Sequence, residues 1–91
     1  MGLDYSATLP DRPLFGIIDD KELRFALPAF ALLQEKTGID IDPYGKSRLY
    51  PDHARLVLAA LADSPQPVLR EFRQVLQAAI DNNVVLHFCG D

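Results

Sequence analysis

Five side chains have the chemistry that a catalytic or metal site would need: His53, His87, Cys89, Asp40 and Asp42. His87 and Cys89 lie two residues apart, so a strand would place them on one face, where a thiol and an imidazole can form a nucleophilic pair. With His53 they are also the soft ligands that a metal would use. Asp40 and Asp42 have the alternating spacing of paired acids or of oxygen ligands for a hard cation. These residues predict, as the alternative function, a small enzyme or a ligand- or metal-binding domain.

The rest of the sequence favours a non-enzymatic protein. It contains no glycine-rich phosphate loop, no Gly-x-Ser-x-Gly motif and no His-Glu-x-x-His motif. A metal site needs three or four ligands, and the residues after Asp42 do not continue a calcium loop. A half-exposed histidine and a small buried cysteine are ordinary structural roles for His87 and Cys89. We therefore expect no cofactor and no catalytic residue.

Length and composition limit the class of protein. The 91 residues are enough for one domain, residues 1–91, with one modest core. The net charge of −4 argues against a nucleic-acid binder, because phosphate contacts need clustered Lys and Arg. No apolar run approaches the ~20 residues of a bilayer span, so no membrane partner is expected. The single cysteine fits a reducing compartment, which predicts a cytoplasmic protein.

Hydrophobic periodicity predicts three helices and a small sheet. Apolar residues recur at helical spacing in residues 20–36, 51–62 and 67–82. Short apolar runs at 14–18 and 84–89 predict strands, which we expect near the centre of the sheet. Pro10 and Pro13 predict that residues 1–13 form an irregular N-terminal arm, with a short extended piece at Tyr5–Leu9. The fold class is therefore α+β, or a small α/β, with helices and sheet in two layers.

A β-hairpin is predicted over residues 39–49. Residues 42–45, Asp-Pro-Tyr-Gly, are typical of a type I turn followed by a left-handed glycine, which gives a three-residue hairpin loop. The resulting register opposes acid to base and apolar to apolar: Asp42 opposite Lys46, Asp40 opposite Arg48, and Ile39 opposite Leu49. The apolar residues of the hairpin, with Ile41, would then face the core. The charged residues would form neutralised pairs on the surface.

Tyr44 occupies the tip of this predicted hairpin, among charged residues. An exposed aromatic side chain with a charged rim has the composition of an interface anchor. The alternative is that its ring covers the hairpin itself. The candidate partner-binding residues are Tyr44, Asp40, Asp42, Lys46 and Arg48.

The sequences TGIDIDPYG at 37–45 and RLYPDH at 48–53, after a helix rich in Leu and Phe, resemble a class of small acidic bacterial cytoplasmic proteins. Some of these are similar to immunity proteins of bacterial toxin systems, which bind and neutralise a partner toxin. The resemblance implies a partner protein, and it carries no functional residue over to this chain. We therefore expect a non-enzymatic protein-binding domain of bacterial type, immunity-like or regulatory. Its acidic surface suits steered association with a basic partner.

Self-association is the other expected partnership. The apolar stripes of the helices predicted at 20–36 and 51–62 are broader than one small sheet can cover, so a homodimer would bury them. The sequence identifies neither the partner nor the order of the strands in the sheet.

Overall fold

In the computed structural model of the protein, residues 2–42, 44–63 and 65–90 are described. Along the chain they form two strands, a helix, a strand, two helices and a strand. The bounds are β1 Gly2–Thr8, β2 Pro13–Asp19, α1 Asp20–Thr37, β3 Lys46–Leu49, α2 Pro51–Ala60, α3 Pro67–Asn82 and β4 Leu86–Gly90.

The strands form one antiparallel sheet in the order β2-β1-β4-β3. Leu3, Tyr5 and Ala7 of β1 are buried while the residues between them are exposed, so one face of the sheet is covered and the other is open. Buried residues of all three helices join those of the strands in one core. The predicted α+β fold with two layers is therefore confirmed. Within the described ranges, no helix has the length and apolar character of a membrane span.

An aromatic cluster centred on Phe72 joins the helices to the sheet. Phe72 lies on α3 and is 0% exposed. Its ring centroid lies 4.9 Å from that of Tyr5 and 5.9 Å from that of Phe88, on the two central strands. The ring of Phe30, on α1, lies 6.3 Å away. The rings are tilted or edge-on, as in favourable aromatic pairs. One side chain thus connects two helices to the middle of the sheet.

The helix ends follow local signals in the sequence. α1 ends where Gly38 adopts a φ of 80° and donates its N–H to the Gln34 carbonyl at 2.8 Å. A left-handed residue in this position terminates a helix. α3 spans the predicted residues 67–82 and ends before Asn83, which is also left-handed with a φ of 54°. α2 is shorter than the predicted 51–62 and ends at residue 60.

The irregular arm predicted over residues 1–13 is wrong, because Gly2–Thr8 is β1, one of the two central strands. Of that prediction, only the short extended piece at Tyr5–Leu9 is confirmed in part, since β1 includes its first four residues. Both prolines are compatible with a hairpin. Pro10 lies in the β1–β2 connection, and Pro13 is the first residue of β2, where a missing N–H is tolerated. Because β1 inserts between β2 and β4, the strand predicted at 14–18 lies at the edge of the sheet and not near its centre.

The hairpin predicted over residues 39–49 is also wrong. β3 pairs with β4, and residues 39–42 contain no strand. The predicted loop needs a left-handed Gly45, whereas Gly38 is the only glycine with a positive φ in the described chain. The Gly45 carbonyl instead accepts a hydrogen bond from the Gly90 N–H at 2.7 Å, which aligns this segment with β4. The apolar side chains of β4 offer a core-facing row that a four-residue β3 can extend.

Two parts of the hairpin prediction are confirmed. The turn at 42–45 forms and Asp42 caps it, since the Tyr44 N–H donates to Asp42 Oδ1 at 2.9 Å and the Gly45 N–H donates to the Asp42 carbonyl at 3.3 Å. Pro43 lies outside the described residues. Side-chain burial also alternates as predicted, with three residues directed to the core: Ile39, Ile41 and Leu49.

Truncation of Phe72 should strongly destabilise the protein. Phe72→Ala removes the central ring of the cluster and leaves a cavity, so we expect the free energy of unfolding to fall by about 3–5 kcal/mol. Tyr44→Ala is the matched control, because that ring is 79% exposed. It should change stability by less than about 0.5 kcal/mol. Urea unfolding of both variants at one protein concentration measures the difference, and equal losses would contradict the role of the cluster.

Candidate functional site: the open face of the sheet

The open face of the sheet carries the side chains that the helices leave uncovered. Antiparallel pairing aligns them in two rows that cross β2, β1, β4 and β3 in that order. One row is Ile17, Asp4, Cys89 and Lys46, and the other is Phe15, Ser6, His87 and Arg48. All of these residues are exposed.

The rows line a groove of about 1020 Å³, which we call the open-face groove. Its β2 wall is apolar, with Phe15 78% and Ile17 49% exposed. Its β3 wall is basic and consists of Lys46 and Arg48. Three strand spacings, roughly 14 Å, separate the walls. Polar side chains of the two central strands lie between them.

The groove differs in charge from the rest of the chain. Its charged side chains are Asp4, Lys46 and Arg48, so its formal net charge is +1. The whole chain carries −4, and subtracting the groove leaves −5 on the remaining residues. The groove is therefore a locally basic site on an acidic protein, which favours an anionic group in the partner.

Tyr5 fills the covered side of β1 directly beneath the groove, where it is 3% exposed. Its ring lies against the backbone of Gly16 on β2. A Cβ at Gly16 would lie 2.5 Å from the Tyr5 hydroxyl oxygen and 2.6 Å from Cζ, so only glycine fits opposite this ring. Burial, with a smaller contribution from the charge of Glu71, raises the pKa of Tyr5 to about 12. The fold is therefore built around the neutral phenol.

The residues predicted for catalysis or metal binding do not converge. Only His87 and Cys89 line the groove. His53 lies in the first turn of α2, and its Nδ1 is buried without a hydrogen-bond partner. Asp40 and Asp42 precede β3 and do not line the groove. In residues 2–42, 44–63 and 65–90, no three His, Cys, Asp or Glu side chains are placed to hold a metal ion. The five candidate residues therefore do not form a single site.

The predicted partner-binding residues divide between two places. Lys46 and Arg48 form the basic wall of the groove, whereas Tyr44 and the two aspartates do not line it. Tyr44 is 79% exposed at the turn that Asp42 caps. Among the described side chains, neither Asp40 nor Asp42 forms an ion pair with Lys46 or Arg48. The acid–base pairs of the predicted hairpin therefore do not form.

Sequence reasoning missed Phe15 and Ile17, which form the apolar wall. The run at 14–18 is apolar on both alternating faces, which is typical of a buried strand. The available signal lay in residues 3–7, where apolar and polar side chains alternate. That alternation indicates a sheet with one open face, and a neighbouring strand must share that exposure.

Comparison with known protein families, with curated proteins and with solved structures found no match for this chain. The function is therefore inferred from the geometry and charge of the sheet.

The buried phenol of Tyr5 sets an alkaline limit on stability. Its ordinary pKa is 10.0 and its pKa in the folded protein is about 12, so the unfolded chain loses this proton first as the pH rises. The stability that Tyr5 contributes is complete below pH 10 and is lost as the pH rises towards 12. We expect ultraviolet titration of tyrosinate to show a late step near pH 12 that is absent from Tyr5→Phe. Stability should also decline less steeply over this range in Tyr5→Phe, and identical curves would contradict the assignment.

Proposed function

We propose that this protein is a non-enzymatic protein-binding domain and that its open-face groove receives the partner. The observation that carries the proposal is the pair of walls. Phe15 and Ile17 expose apolar surface on one side, and Lys46 and Arg48 stand on the other. Contiguous exposed apolar side chains with a polar rim mark interaction sites. Aromatic residues and Arg are also the residue types that most often anchor protein interfaces.

The shape of the groove supports a protein partner over a small substrate. The groove crosses all four strands and is open to solvent on one side, whereas small-molecule sites bury most of the ligand surface. A nucleophile also needs a base in hydrogen-bond contact and a third group that orients the base. Among the described residues, no hydrogen bond joins the side chains of Asp4, His87 and Cys89 to one another.

The two walls define the chemistry of the partner. An apolar side chain would pack on Phe15 and Ile17, and a carboxylate would bind Lys46 and Arg48, roughly 14 Å away. Arg48 can hold a carboxylate through two parallel hydrogen bonds. An immunity-like or regulatory role requires this kind of recognition of one partner surface. The charge of −5 outside the groove would accelerate encounter with a partner that is basic elsewhere.

Charge reversal of the basic wall tests the proposal. Lys46→Glu combined with Arg48→Glu should reduce binding of the partner at least about tenfold, because a buried carboxylate would face like charge. Lys21→Glu combined with Arg70→Glu makes the same change in net charge on exposed positions of α1 and α3, and should leave binding unchanged. Circular dichroism should show that both double variants are folded.

Partner capture from an extract of the source cells, quantified by mass spectrometry, gives the comparison. The wild type and the helix variant should retain one protein in stoichiometric amount, and the groove variant should lose it. Failure to recover any stoichiometric protein would contradict the proposal. Equal retention by the groove and helix variants would contradict the assignment of the groove.

A further inference from the structure

Along each edge strand, residues that bond to the neighbouring strand alternate with residues whose backbone N–H and C=O groups point outward. In the β1–β2 connection the Leu9 N–H donates to the Arg12 carbonyl at 2.9 Å, so this is a hydrogen-bonded pair. Such pairs alternate along antiparallel strands. The residues of β2 that bond to β1 are therefore Leu14, Gly16 and Ile18. The N–H and C=O groups of Phe15 and Ile17 point away from the sheet.

The β3 edge is protected against pairing. The bond from the Gly90 N–H to the Gly45 carbonyl sets the same alternation here, so the backbone groups of Lys46 and Arg48 point outward. Both residues are positively charged, and β3 has only 4 residues. A short strand and like charges are devices by which edge strands avoid pairing with other chains.

The β2 edge has neither device. It runs for 7 residues, and no charged side chain lies before Asp19 at its end. Phe15 and Ile17, whose backbone groups point outward, also have exposed side chains. Within the described chain, no hydrogen bond from a segment other than β1 reaches the backbone of either residue. An edge of this kind is a template for another strand.

We propose that a second copy of this chain occupies the β2 edge, and that the two β2 strands pair antiparallel about a two-fold axis at Gly16. Outward-pointing residues must meet for hydrogen bonds to form. Phe15 of each copy then lies opposite Ile17 of the other, and each such pair exchanges two backbone hydrogen bonds. On the covered face, Leu14 lies opposite Ile18 of the other copy.

The sequence of β2 suits self-pairing in this register. Aromatic and β-branched side chains form favourable cross-strand pairs. Gly16 faces itself at the axis, where no side chain obstructs the approach. Asp19, the one charged residue of the strand, lies opposite Pro13 of the other copy and not opposite the second Asp19. The pairing therefore avoids direct charge repulsion in the strand, although each chain carries a net charge of −4. An isologous contact needs this self-complementarity, which the β3 edge lacks.

The dimer would be a continuous sheet of eight strands, four from each copy. Because the axis is perpendicular to the sheet, both open-face grooves lie on the same side. Their apolar walls meet at the centre and their basic walls lie at the two ends. The pairing uses backbone groups of β2, so the proposed dimer does not depend on whether the groove binds a partner.

Sedimentation equilibrium tests the pairing through a backbone substitution. At micromolar concentration the wild type should have twice the monomer mass of 10.1 kDa. Ile17→Pro removes an outward N–H without breaking a bond to β1, so its mass should fall to that of the monomer. Arg48→Pro is the matched control, since it makes the same change at the β3 edge, and it should remain a dimer. A monomeric wild type, or a dimer that survives Ile17→Pro, would overturn the proposal.

Amide hydrogen exchange of the wild type tests the register without depending on how the variants fold. The Phe15 and Ile17 amides should be protected, and their protection should increase with protein concentration. The Lys46 and Arg48 amides are the reference for an unpaired edge and should exchange rapidly at every concentration. Rapid exchange at Phe15 and Ile17 in a dimer would overturn the proposal. Lys46→Glu with Arg48→Glu, which alters the groove alone, should stay dimeric, so this proposal and the proposed function can fail separately.

Discussion

The contacts of Phe72 determine which face of the sheet becomes the core. Its ring packs between Tyr5 and Phe88 of the central strands and Phe30 of α1. Once these aromatic residues point to the helices, the period of two along each strand fixes the opposite side chains as solvent-facing. Among the described residues, the three helices cover one face, and no other element covers the opposite face. The exposure of Phe15 is therefore a consequence of where the aromatic cluster lies.

The helices and the fold class could be predicted from the sequence because a period of 3.6 and terminal residues such as Gly38 are local signals. Strand pairing could not, because it is a choice between distant partners. Residues 39–49 alternate in burial as predicted, yet β3 pairs with β4. A favourable charge register within the hairpin was outweighed by the apolar row that β4 provides. β1 was missed because Pro10 and Pro13 indicate irregular chain, although a tight connection and the first position of an edge strand both accept proline.

The candidate site shows the same division between local and distant information. Lys46 and Arg48 were predicted at a partner surface, and the structure places them on the wall of a groove, without the acidic partners that the hairpin would have supplied. Phe15 and Ile17 were predicted in a strand near the centre of the sheet, and their exposure was missed because an apolar strand does not show which of its faces the helices will cover. That information resides in β1, whose polar Asp4 and Ser6 lie beside them in the sheet.

In both edge strands, the residues whose side chains occupy the open face are also those whose backbone groups point outward. For β2 these residues are Phe15 and Ile17, and for β3 they are Lys46 and Arg48. One alternation thus sets the character of the groove wall and of the adjacent edge together. The apolar wall therefore lies on β2, whose edge favours pairing with another strand, and the basic wall lies on β3, whose like charges disfavour it. In the proposed dimer the second copy pairs along the apolar edge, and both grooves remain open to a partner.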